Sequence, residues 1–159
     1  MLDTQLTAAV TAFLSLEADL LDFKDYDAWL DLWQESGLYI VPVDHNAQDF
    51  SAVLNVAYDD AEMRRLRVQR LSSGEAISTA LAKPTVRTLS RVRVLASGSE
   101  EVHVRAACCL YEDNKNGVRS YPINLEYKLV PTEGSFKIQE KIARVMQSDQ
   151  HLTTISYLF

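Results

Sequence analysis

Four long segments of the second half, residues 85–96, 101–112, 118–130 and 136–147, alternate apolar and polar side chains and are separated only by short turn-forming stretches. The separators are Ser97-Gly98-Ser99, Asn114-Lys115-Asn116-Gly117 and Pro131-Thr132-Glu133-Gly134, which suit hairpins. A parallel pair needs a crossover of a dozen or more residues, so these segments predict an antiparallel meander. The alternation is cleanest in Val102, Val104, Ala106, Cys108 and Leu110, and again in Tyr121, Ile123, Leu125, Tyr127 and Leu129. A sheet with one apolar face must have that face covered. The cover has to come from the first half of the chain.

That half reads mainly with the period of a helix. Leu6, Val10, Phe13, Leu14, Leu20 and Leu21 make one stripe, interrupted by Glu17, with Asp3 or Thr4 placed to cap its start. A second short helix is expected from Asp25 through Trp29, Leu30 and Trp33 to about Gly37. It would set Tyr26, Trp29 and Trp33 on one face, as core or as the lining of an opening in the fold. Residues 38–43 and 53–58 have strand composition, with Pro42 marking an edge or the end of pairing. Asp59 and Asp60 open a third helix through about Leu71, in which acidic residues precede Arg64, Arg65, Arg67 and Arg70, the order the helix dipole favours. Residues 72–83 read as loop with room for a helical turn. The change of period near residue 80 predicts one α+β domain over residues 1–159, its amino-terminal helices packed on a strongly curved, mostly antiparallel sheet.

Charge and cysteine usage narrow the function classes. A net charge of −6 and a pI near 5.0 oppose a sequence-independent grip on nucleic acid or on anionic lipid. The longest apolar runs include residues 38–43 and 106–111, far short of the roughly 18 residues that span a bilayer. The start of the chain lacks the basic and apolar regions of a secretory signal, so a cytoplasmic location is expected. Cys108 and Cys109 are adjacent and, on a strand, point to opposite faces, which strains a mutual disulfide and suits a reducing compartment.

Several stretches, in order, resemble the small (beta) subunit of the aromatic-ring-hydroxylating dioxygenases. They are Glu17-Ala18-Asp19-Leu20-Leu21-Asp22 leading to Tyr26-Asp27-Ala28-Trp29-Leu30, then Tyr39-Ile40-Val41-Pro42, then Tyr58-Asp59-Asp60 followed by Leu66-Arg67-Val68-Gln69-Arg70-Leu71. Ile138-Gln139-Glu140-Lys141-Ile142 is similar too. The resemblance covers nearly the whole chain and implies a nuclear-transport-factor-like cone. It also implies a non-catalytic role: a trimer of this chain within a mixed hexamer, supporting a large catalytic subunit that carries a Rieske iron-sulfur cluster and a mononuclear iron for aromatic catabolism. The stretch from Lys83 to Leu89 departs from the family by having fewer hydroxyl and arginine side chains.

The residues themselves argue against iron in this chain. A Rieske cluster takes two cysteines and two histidines in paired motifs, and the Cys108-Cys109 doublet has no such spacing. A facial-triad iron needs two histidines and a carboxylate, whereas His45, His103 and His151 form no short-range pair. His103 on a strand and His45 in a loop are expected to make ordinary polar contacts. Asp59 and Asp60 are expected to cap a helix rather than to form an acid–base pair. Arg64 to Arg70 fit a solvated helix paired with Asp60 and Glu62, or else an anion site. The rival reading is a stand-alone isomerase or dehydratase on the same cone, and a third is a protein that binds a small apolar ligand. Convergent titratable groups inside the cone would favour the enzyme, and an apolar filling the subunit.

Assembly residues can be nominated. Arg87, Arg91 and Arg93 share one face of a single strand by parity, a face too charged for core, which is either solvated or covered by acidic groups of another subunit. The ending Ile155-Ser156-Tyr157-Leu158-Phe159 is apolar enough to be docked, on its own sheet or at a subunit boundary. Arg87, Arg91, Arg93, Tyr157 and Phe159 are therefore the expected interface residues, with no catalytic, cofactor or metal residue expected.

Overall fold

The computed structural model describes residues 3–73, 83–146 and 158–159, so most of the loop expected over 72–83, together with His151 and Tyr157, lies outside the described residues. Helix α1 (Thr4–Asp22) begins at Asp3, whose carboxylate accepts the Leu6 amide at 3.0 Å. It presents Val10, Phe13, Leu14, Glu17 and Leu21 to the interior. Helix α2 (Tyr26–Leu30) is capped by Asp25, and strand β1 (Trp33–Pro42) follows almost at once. After β2 (Asn55–Asp59) comes α3 (Ala61–Ser73), capped by Asp60 through the Met63 amide at 3.0 Å. The meander is β3 (Thr85–Ser97), β4 (Val102–Asn114), β5 (Gly117–Thr132) and β6 (Ser135–Val145).

The strands form one curved, unclosed sheet in the order β2-β1-β6-β5-β4-β3. The meander is antiparallel throughout, with Cys108 opposite Ile123 and Leu125 opposite Ala143. Strand β1 then adds to the far side of β6 in parallel, Tyr39 opposite Lys141 and Ile40 opposite Ile142, and carries β2 outside it. Pro42 closes β1 at a bulge, where it forfeits no ladder donor that β1 needs.

The second helix is shorter than the spacing implied. Trp33 sits four residues after Trp29, as a helix would have it, but it begins β1 opposite Ile138. Pairing with β6 overrides the local pattern, and Gly37 permits it. A Cβ on Gly37 would lie 2.8 Å from the Ile138 carbonyl oxygen and 2.9 Å from the Trp33 ring, so only glycine lets the bulged start of β1 approach β6. Trp29 and Trp33 still meet, edge to face at 5.5 Å, and Tyr39 completes the group 6.1 Å from each. These rings are core: Trp29 is fully buried, and Trp33 nearly so.

The face under α1 holds the alternating residues of β4 and β5, all buried as the pattern predicts. The outer face is divided. At its β1–β6 end, residues 43–54 fold over it and bury Ile40 and Ile142. Arg144 fastens this cover by donating to the carbonyls of His45 at 3.0 Å and Ala47 at 2.6 Å, with Phe50 beneath its guanidinium. Among the described residues, no segment covers the β3–β4 end, where Arg91, Arg93 and Arg105 are exposed.

Candidate functional site

The inner face contains a group of polar side chains that helical periodicity alone conceals. Glu17, which looks like an interruption of the α1 stripe, is only 2% exposed and lies inside the stripe. Its carboxylate accepts from Trp29 Nε1 at 3.0 Å, Tyr127 Oη at 2.6 Å and Lys141 Nζ at 2.9 Å. Four elements thus converge: α1 supplies the acceptor, and α2, β5 and β6 supply the donors. A buried carboxylate is tolerated only when charge and hydrogen bonds are both answered, and here both are. No two residues of this cluster share a helical turn or a strand, and Glu17 is separated from its partners by 12, 110 and 124 residues, so spacing gave no signal for it.

The surroundings keep these groups in defined states. Burial pushes the Tyr127 phenol well above the usual range, and the Glu17 carboxylate beside it pushes the same way. Burial lowers the Lys141 ammonium, while Glu17 opposes that shift. Cys108, also facing inward, is pushed up to about 11 by burial and is a thiol at neutral pH. Trp29, Tyr127 and Lys141 each direct a proton at the Glu17 carboxylate, so the acceptor is occupied by three donors. That arrangement fixes the relative positions of helix and sheet. An acid–base catalyst would need the same carboxylate turned toward a substrate.

The arginines of α3 form a second inward site. Arg64 is 3% exposed, stacks on Trp33 at 4.3 Å, and donates to the carbonyls of Gly37, Gln34 and Asp59. Arg67 forms a paired contact with the buried Asp59 carboxylate at 2.6 and 3.1 Å, and Arg65 reaches Glu35. The expected solvated pairing with Asp60 and Glu62 is therefore replaced by bonds to β1 and β2. Capping divides as well: Asp60 caps α3, while Asp59 is the counter-ion of Arg67.

The three arginines of β3 do not share a face. Between Ser90 and Arg93 the strand carries an extra residue relative to β4, and Arg91 takes up the left-handed backbone conformation at φ 50°. Alternation inverts there: Leu89 packs inward before the bulge, Val92 and Val94 after it. Arg87 consequently points in, its side chain 5% exposed, bound to Asp22 of α1 at 2.5 Å and to the Leu158 carbonyl. Arg91 and Arg93 are exposed. Arg91 donates to Asn124 Oδ1 at 2.6 Å. Arg93 lies directly across from Arg105 of β4, another exposed arginine, and among the described residues neither has an anionic partner. Glu126, the neighbour of Arg105 on β5, is turned to Arg144 instead. Phe159, the other described interface nominee, is 4% exposed and docked on its own sheet.

The remaining candidates make the polar contacts expected of them. His103 pairs with Glu101, and His45 Nε2 lies 3.4 Å from Asn124 Nδ2. Among the described residues no three His, Cys, Asp or Glu side chains are grouped to hold a metal. Nor do the residues fit a Rieske cluster: Cys108 faces the core and Cys109 the opposite side of the strand, so the two thiols do not converge.

Known proteins give this geometry a context. Residues 16–150 match the family model described as the ring hydroxylating beta subunit. The small oxygenase component of the p-cumate 2,3-dioxygenase system of Pseudomonas putida is 32% identical over 127 residues, 79% of this chain and 71% of that protein. The anthranilate 1,2-dioxygenase small subunit of Acinetobacter baylyi is 34% identical over 145 residues, 86% of this chain and 87% of that one. Among solved structures, a chain of naphthalene 1,2-dioxygenase superposes with a TM-score of 0.84 at 19% identity, covering 100% of this chain and 88% of its own, a likeness of fold.

Proposed function

The chain belongs to the beta-subunit family of the ring-hydroxylating dioxygenases, and on that premise we propose that it is a structural subunit, holding a larger iron-bearing subunit in register while contributing no group to the reaction. The Rieske cluster and the mononuclear iron belong to that partner, which attacks the aromatic ring. Residues 1–159 act as one domain, three copies associate, and the trimer forms half of a mixed hexamer in the cytoplasm. The observation that carries this reading is the outer face of β3 and β4. Like charges directly opposite on a sheet repel, so Arg93 beside Arg105 costs the isolated chain stability, a cost removed by an acidic surface laid over them. Arg91 stands at the same open end and extends the cationic patch.

Co-expression with the large subunit tests the reading. The two chains should purify together in equal number, with iron following the large subunit, and the isolated small chain should sediment as a trimer. A concentration-independent monomer of 17.9 kDa that fails to bind the large subunit would overturn it.

A further inference from the structure

Strand β3 ends the sheet: one of its edges pairs with β4, and among the described residues no strand lies beyond the other. Alternate residues of a strand send their backbone groups to opposite edges. Before the bulge the Arg87 amide points to the unpaired edge, where the Asp22 carboxylate of α1 accepts it at 2.9 Å. Beyond the bulge, with Arg93 paired to Arg105, that role passes to Val92 and Val94. Among the described residues no hydrogen bond reaches the backbone of these two valines from the open side. The edge is thus closed by α1 at one end and left unmet at the other.

Alongside the unmet part runs a groove of about 640 Å³, walled by Val92, Arg93 and Val94 on one side and by α1 on the other. The helix turns small residues toward it, with Ala8, Ala12 and Ser15 all exposed. Thr7 and Thr11 also line it, but their hydroxyls donate to the helix's own carbonyls, of Asp3 at 3.0 Å and Thr7 at 2.8 Å. The strand backbone and Arg93 are therefore its strongest polar features. From Thr4 to Ser15 the helix wall is about 16 Å long, the length of about five extended residues.

We propose that this groove receives an extended acidic segment of the large subunit as a seventh strand, a docking that rests on the assembly reading and gives it a place. Main-chain hydrogen bonds to Val92 and Val94 hold the segment, and its alternate side chains meet two different surfaces. Those turned inward lie against Ala8 and Ala12 and are small or apolar. The one opposite Arg93 on the outer face has its Cβ roughly 5 Å from that of Arg93. A carboxylate there answers Arg93 and, one strand further in, Arg105. A second copy of this chain is the wrong occupant, because pairing through the same edge sets the arginines of one copy against those of the other.

Hydrogen exchange on the unaltered chain, alone and co-purified with the large subunit, is the test. Alone, the Val92 and Val94 amides should exchange as exposed groups do, and in the complex both should slow by about tenfold or more, as one added hydrogen bond requires. Amides already slow in the isolated chain overturn the proposal. A complex that forms while both amides stay fast also overturns it and leaves the assembly reading standing, whereas chains that fail to associate remove both. Ala8→Tyr with Ala12→Tyr fills the helix wall without changing its charge, at exposed positions that tolerate the larger ring. This variant should raise the dissociation constant of the complex about tenfold or more with its far-ultraviolet dichroism unchanged. An unchanged dissociation constant means that charge alone recruits the partner and overturns the groove. Should the variant not fold, hydrogen exchange on the unaltered chains decides.

Discussion

On the inner face of the sheet, Glu17, Trp29, Tyr127 and Lys141 are closed on one another, whereas on the outer face Arg93 and Arg105 stand side by side with no anion among the described residues to meet them. Both places spend polar side chains where a simpler protein would not. Inside, the charges are matched, so they specify how α1 sits on β5 and β6. Outside, among the described residues, they are unmatched, and under the proposed function they are what a partner surface would read. The comparison teaches that the sheet is finished on one side and prepared on the other.

The sharpest way to break this contrast is to unmatch the interior. Glu17→Ala leaves the Lys141 ammonium buried without its counter-charge and should cost roughly 3–5 kcal/mol, read as a lower urea midpoint. Replacing the pair together, Glu17→Leu with Lys141→Met, should recover only part of that loss: the uncompensated charge is gone, but the Trp29 and Tyr127 donors stay buried without their acceptor. If Glu17→Ala unfolds at the unaltered urea concentration, the inner cluster is not a fastening. Gly37→Ala comes next. The added Cβ meets backbone on β6 and should cost roughly 1–3 kcal/mol in the same assay.

Alkaline titration gives a third measurement on the inner face. Folding raises the pKa of Tyr127, through burial and then Glu17, and also that of Tyr39, chiefly through burial. A phenol raised by folding contributes stability that is intact below its unfolded value, about pH 10, and is lost as pH climbs toward the folded value. Phenolate absorbance from these two residues should therefore appear only with unfolding, and Tyr127→Phe should remove one phenolate from that step. The smallest effect on folding belongs to the outer face. Arg93→Glu with Arg105→Glu should change chain stability by less than about 0.5 kcal/mol while weakening assembly with the large subunit, as judged by co-purification. A large loss of stability without loss of assembly would assign these arginines to the fold.

The meander was legible because a period of two is a local signal, and Tyr121 to Leu129 carry it unbroken. Asp60 was legible for the same reason, since capping depends on neighbours three residues away. What escaped depends on distance. Glu17 finds its partners 12, 110 and 124 residues along the chain, so next to Leu14 and Leu20 it looks like a fault in a stripe. Trp33 matches helical spacing to Trp29, and only β6, more than a hundred residues later, turns it into a strand. The bulge at Arg91 has no glycine or asparagine to announce it, so parity grouped Arg87 with Arg93 when the fold separates them. The docked Phe159 could be expected from the apolar ending, but not the hydrogen bond from its amide to Tyr39.

The parallel pairing of β1 with β6 also sets a schedule for synthesis. Tyr39 leaves the ribosome long before its partner Lys141 exists, and at roughly 5–20 residues per second the wait is on the order of 5–20 s. Through that interval β1 and β2 can pair only with each other, and Trp29 and Trp33 have no sheet on which to rest. The nascent chain thus carries its most aromatic segment uncovered until the last strand emerges. Chaperones that hold exposed aromatic surface, and the pace of translation through the meander, therefore bear on how much of this protein reaches its native state.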